Sequence, residues 1–185
     1  MMSDQKIIEG CARHERKSQR LLYEKYSRLL MGVCLRYAGN RAEAEDILQD
    51  SFLKIFFRIK DFSGTGSFIG WLRKVVVNTA ITNYHLNLKY RYHVEIEEYV
   101  SIETGVSGFA EDFFSSDELL RVLNELPGGY RMVFNLYAVE GYKHKEIAEM
   151  LGIDTNTSKS QYSRAKAVIR DKLEKLGKLR NSYTA

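Results

Sequence analysis

The chain has 185 residues, 44% hydrophobic and 28% charged, which suits one ordinary domain or two small ones and excludes a disordered or fibrous chain. One proline and 13 glycines leave few chain breakers, which argues against a many-turned all-β chain and for long helices. No apolar run approaches the roughly 18–20 residues of a membrane span, and the polar start MMSDQK lacks a signal-peptide core. The expectation is a cytoplasmic protein with no membrane insertion. Cys11 and Cys34 form no CxxC and pair with no histidine at metal-ligand spacing, so they are expected to be buried small hydrophobes, with no metal and no cofactor.

The net charge of +4 divides unevenly along the chain. Residues 1–93 carry 16 Lys/Arg against 9 Asp/Glu, a net of +7; residues 94–120 carry 8 acids and no Lys/Arg, or −8; residues 121–185 carry 12 against 7, or +5. Two basic blocks are thus joined by an acidic strip. The strip has two glycines, four serines and no sustained helical or alternating period, and reads as a linker. The expected division is 1–93, a linker at 94–117, and 118–185.

In the first block, Leu22, Tyr26, Leu29, Leu30, Val33 and Tyr37 share one helical face, which Gly39 and Asn40 terminate. Asn40 is placed to cap the next helix, with Glu43 as the capping-box acid. There Leu48, Phe52, Ile55, Phe56 and Ile59 form the buried stripe, while Glu43, Asp46, Gln49 and Asp50 lie away from it. The loop DFSGTG follows, and Ser67 can cap a helix from about Phe68 to Tyr90. On that helix Lys74, Asn78, Thr82, His85 and Lys89 fall in one narrow sector. Cations interleaved with amides and hydroxyls suit nucleic acid, although a solvated face would look the same; Tyr84, Tyr90 and Tyr92 nearby offer stacking surfaces.

The strongest local motif starts at Lys143. Ile147, Ala148 and Leu151 give a short helix its buried face, Gly152 allows a tight turn, Ile153 packs back, and Thr155 or Asn156 caps a second helix. That is a helix-turn-helix signature. In the second helix Tyr162, Ala165, Ile169, Leu173 and Leu176 make the apolar stripe, with Lys159, Ser160, Ser163, Arg164 and Ala167 on the other side. Residues 155–185 hold 8 Lys/Arg against 2 acids, which favours phosphate contacts. The sequence contains no GxxxxGK, HExxH or GxSxG, its four histidines are scattered, and no catalytic residue is expected.

AEAEDILQDSFLKIF, FSGTGSFIGWLRKVVVNTAI and the run from NELPGGYRMVF to AKAVIRDKL, in that order, strongly resemble an extracytoplasmic-function (ECF) sigma factor of bacterial RNA polymerase. The likeness runs from about Ile7 to Leu176. It implies an all-α fold of two small helical domains, sigma region 2 and sigma region 4, without region 3. By resemblance, Asp46, Gln49, Asp50 and Phe52 dock on the clamp of core RNA polymerase. Phe62, Ser67, Lys74, Asn78, Thr82, His85 and Lys89 belong to the part that opens the −10 element and holds an extruded single-stranded base. Lys159, Ser160, Ser163 and Arg164 match positions that read duplex promoter DNA at the −35 element. The acidic linker would thread polymerase channels otherwise filled by nucleic acid, and a membrane-linked anti-sigma factor is the implied restraint. Ser158 departs from the family pattern, standing where an apolar residue usually packs the recognition helix. Two rivals are an operator-binding helix-turn-helix regulator that works without polymerase, and a helical protein-interaction adaptor whose basic faces are merely solvated.

Overall fold

The computed structural model describes residues 3–91 and 114–183, with side chains to Leu88 in the first stretch and to Gly177 in the second. Every regular element among them is helical. The chain forms two compact units, residues 1–84 and 85–185. Most of the acidic strip, with Tyr92, lies outside the described residues.

The first unit is built from α1 (Asp4–Ala12), α2 (Arg16–Tyr37), α3 (Arg41–Arg58), which tightens into a 3-10 turn at Ile59–Asp61, and α4 (Phe68–Arg91). Its start signals act as the sequence predicts. The Asn40 side chain accepts from the Glu43 N–H at 2.9 Å, satisfying one orphan donor of α3, and the Glu43 carboxylate accepts from the N–H of Gly39, one residue ahead of the cap, at 2.7 Å. Ser67 does the same for α4, its hydroxyl accepting from the Gly70 N–H at 3.2 Å. Leu22, Leu30, Ile47, Ile55, Ile59, Leu72, Val76 and Val77 are fully buried, each removing about 2 kcal/mol of apolar exposure. Leu29, expected in the stripe of α2, is exposed; it sits at the edge of the sector that Leu22, Tyr26, Val33 and Tyr37 bury. α1 closes on α2 through Gly10, where a Cβ would lie 2.0 Å from the Ser18 hydroxyl. Only glycine permits that approach.

The second unit comprises α5 (Ser116–Asn124), α6 (Gly128–Phe134), a π-helical turn at Asn135–Val139, α7 (His144–Leu151) and α8 (Thr155–Tyr183). α5 begins inside the span 94–117 assigned to the linker, because Ser115 and Glu118 form a reciprocal capping box. Its far end is held by the buried Arg131, whose guanidinium donates to the Asn124 carbonyl at 2.9 Å. The π turn follows from side-chain competition. The buried Asn135 donates its side-chain amide to the Arg131 carbonyl at 2.9 Å, and Glu140 N–H bonds five residues back to Asn135 O at 3.0 Å. Val122, Leu126, Met132, Val133, Leu136, Ile147, Leu151 and Ala165 fill the core.

Candidate nucleic-acid interface

α7 and α8 are joined by Gly152, left-handed at φ 66°, a conformation that costs any residue with a Cβ about 1 kcal/mol. Ile153 N–H returns to Ala148 O at 3.1 Å. α8 is capped one residue earlier than the sequence suggests: Asp154 Oδ1 accepts from the Asn156 N–H at 2.7 Å, because that carboxylate reaches the second free N–H of the helix. Thr155 and Asn156 are inside the helix.

Lys159, Ser160, Ser163 and Arg164 are all exposed, within about 140° of the helix circumference, while Ser158 and Ala165 on the opposite side are buried. Ala167, expected to point outward, is half-buried. Two of the outward residues are braced. Arg164 Nη1 lies 3.4 Å from the Tyr130 hydroxyl, and Ser160 Oγ donates to Thr157 O at 3.0 Å. Ser158, without exposed surface, bonds through Oγ to Nδ1 of His144 at 3.0 Å. A polar bridge thus stands where apolar packing was expected.

On α4, Lys74, Asn78 and Thr82 are exposed along one stripe. The Thr82 hydroxyl donates to Asn78 O at 2.9 Å, which leaves it acceptor capacity only. His85, next in helical register, is half-buried rather than exposed; the side chains of Lys89 and Tyr90 lie outside the described residues. Ser67 is exposed but its oxygen serves the helix cap. Phe62 is half-buried, anchoring the loop in an aromatic cluster: its ring is 5.1 Å from Phe68 and 5.9 Å from Trp71, and Phe68 meets Tyr26 edge-on at 5.7 Å. Trp71, half-buried beside this loop, is a flat apolar surface absent from the sequence-based candidates.

α3 presents a second kind of face. Asp46, Gln49 and Asp50 are exposed, and Leu53 and Phe57, at 68% and 82% exposure, complete their stripe at helical spacing. Phe52 does not belong to it. At 3% exposure its ring is packed against Tyr23 and Phe56 at 4.7 and 5.8 Å, roughly 120° around the helix, so it supports the face from beneath. The sequence offers no local signal for Leu53 and Phe57, since apolar residues in an amphipathic helix read as core.

No group of metal-binding side chains occurs among the described residues, and none of their helices is long and apolar enough to cross a membrane. Both cysteines are buried; desolvation pushes the Cys11 thiol up to about 11 and the Cys34 thiol up to about 12, which keeps them protonated.

An all-helical pair of units, one carrying a helix-turn-helix with a cationic recognition face, defines a DNA-binding class of protein. Residues 22–86 match the model of sigma-70 region 2, and residues 116–169 match that of sigma-70 region 4. The chain is 28% identical to the ECF RNA polymerase sigma-E factor of Haemophilus influenzae, over 95% of this chain and 97% of the relative. It is 27% identical to that of Escherichia coli, over 95% and 96%. Among solved structures it is similar to the sigma factor RpoE bound to the anti-sigma factor NepR from Bartonella quintana, with TM-score 0.49 and 19% identity, covering 84% of this chain and 96% of that one. The chain belongs to the sigma-70 family, in its ECF group, and is an RNA polymerase sigma factor acting in transcription initiation.

Proposed function

We propose that this sigma factor, with region 2 in the first basic block, region 4 from α5 onward and an acidic linker between them, directs core RNA polymerase to promoters by reading a −35 element and melting a −10 element. The observation that carries this reading is a cationic, hydrogen-bonding helix face in each family-matched unit: Lys159, Ser160, Ser163 and Arg164 on α8, and Lys74, Asn78 and Thr82 on α4, all exposed. Cations meet phosphates from either face, while bidentate Arg164 can pair with a guanine edge in the major groove. On α4 the amide of Asn78 offers a donor and an acceptor to an extruded base, and Trp71 and Phe62 provide apolar surface beside the loop that Ser67 terminates.

α3 carries the polymerase contact in this reading, with Asp46, Gln49 and Asp50 supplying charge and amide contacts to the clamp and Leu53 and Phe57 the buried anchors. Isolated exposed apolar side chains are common, but two beside acids on one helix stripe make the apolar centre and polar rim of an interface. The role is one of binding, without a catalytic residue or a cofactor, in the cytoplasm where polymerase works. The restraining partner that membership of the ECF group implies is a membrane-linked anti-sigma factor. The test is run-off transcription with purified core polymerase and a library of promoter DNAs. Discrete starts dependent on this chain support the proposal; a folded chain that directs none defeats it.

A further inference from the structure

Within the helix-turn-helix the buried side chains are apolar, Ile147, Ala148, Leu151 and Ala165 among them, with Ser158 as the polar member among the described residues. A buried hydroxyl is unfavourable unless bonded, and this one has a single side-chain partner, His144 Nδ1 at 3.0 Å. His144 opens α7, while Ser158 sits in the first turn of α8 immediately before Lys159 and Ser160. The imidazole is itself clamped, stacked on the ring of Tyr137 at 4.3 Å and 13°. Tyr137 packs in turn on Tyr162 of α8 at 4.5 Å. The π-helical turn, α7 and the recognition helix therefore meet at one hydrogen bond.

We propose that the His144–Ser158 bond is a positioning device that sets the rotation of α8, so that these two residues determine promoter selectivity without touching DNA. Apolar packing tolerates small rotations of a helix, whereas a hydrogen bond loses strength steeply as its angle opens. A rotation of α8 would move Lys159, Ser160, Ser163 and Arg164 together relative to base edges. Phosphate attraction survives such a shift, because cations act over a Debye length of about 8–10 Å; base readout does not. The inference rests on α8 being the helix that reads duplex promoter DNA.

The bond also carries a pH signature. Titratable groups near the imidazole are Lys159 and Tyr162 on α8, Tyr137 on the π turn, and Lys143, Lys145 and Glu146 beside it at the start of α7. Desolvation and then the Lys159 charge hold His144 below its ordinary 6.5, so it is neutral at pH 7. With the Ser158 hydroxyl donating to a neutral Nδ1, protonation removes that acceptor and forces the nitrogen to donate; in either tautomer it places a second cation by Lys159.

The test uses the full chain, a duplex selected by it from a random library, and a scrambled duplex of equal composition. Ser158→Ala and His144→Phe should each lower the selected-to-scrambled affinity ratio about fivefold, with the salt slope of binding unchanged and the double variant no worse than either single one. His144→Asn, which keeps a bonding group near the Nδ1 position, should retain most of the ratio. Lowering the pH from 7.5 to 5.5 should reduce the ratio in the wild type but not in His144→Phe. Folded variants with wild-type ratios and a shared pH response would overturn the proposal. A wild type that selects no duplex would overturn the promoter reading instead; thermal melts of the wild type, Ser158→Ala, His144→Phe and the double variant then judge the bond, non-additive losses supporting it and additive losses overturning it.

Discussion

The two units hold their working helices by different means. In the first, α3 and α4 are held chiefly by apolar bulk, with Ile47, Ile55, Leu72, Val76 and Val77 fully buried and one side-chain bond between the helices, Lys54 Nζ donating to Thr79 Oγ1 at 3.2 Å. In the second, α8 packs through Ala165 and Leu173 and adds directional bonds to neighbouring elements, His144 on Ser158 and Tyr130 on Arg164. A helix set by packing keeps its place through changes of pH and through conservative exchange of surface residues. A helix set by hydrogen bonds has a more exact rotation and is sensitive to both. That difference fits the tasks proposed for them, since duplex readout needs register to a fraction of an ångström while gripping an unpaired strand needs a firm, tolerant surface.

The contrast can be broken most severely in the first core. Ile55→Ala or Leu72→Ala should cost about 2–5 kcal/mol by opening a cavity among the helices; a shift of the first unfolding transition by only a degree or two would show that bulk packing does not dominate there. Arg164→Ala should weaken selected-duplex binding by about 1–3 kcal/mol and lower its salt slope by about one, read by anisotropy across a salt series. Phe57→Ser should leave thermal stability unchanged, because the side chain is 82% exposed, and weaken core polymerase binding about tenfold; unaltered affinity would remove the apolar anchors from the clamp face. Gly152→Ala should cost about 1 kcal/mol, with the loss confined to the second unit. The smallest effect concerns pH. Because the folded His144 pKa lies below 6.5, the unfolded chain binds that proton more readily. Stability is then fully present above pH 6.5 and declines as pH falls from there through the folded pKa. Melts should show this decline in the second unit of the wild type and its absence in His144→Phe.

Much of this architecture was legible in the sequence where the physics is local. Asn40 with Glu43, Ser67 before Phe68, and Gly152 after Leu151 are caps and turns whose chemistry spans four residues, and each does what its spacing predicts. The cationic stripes on α4 and α8 followed from helical periodicity alone. Contacts between elements escaped. Ser158 and His144 are 14 residues apart, and nothing in either neighbourhood says that one satisfies the other. Phe52, placed both in the core stripe and on the docking face, is in the core, and Leu53 and Phe57 stand where it was expected to act; a periodic apolar pattern cannot say which residues a partner will cover. Three adjacent residues, Asp154, Thr155 and Asn156, all favour N-caps, and the cap falls on Asp154, whose carboxylate accepts from the Asn156 N–H. The π turn at Asn135–Val139 arises from a buried side-chain amide reaching the Arg131 carbonyl, again a consequence of burial.

The proposed division of labour between the two faces is tested most directly by run-off transcription on matched duplex and pre-melted −10 templates, using Asn78→Ala and Arg164→Ala with core polymerase. The account predicts that pre-melting restores initiation by Asn78→Ala, whose deficit lies in holding the opened strand, and leaves Arg164→Ala impaired. Equal restoration of both variants, or of neither, would contradict it.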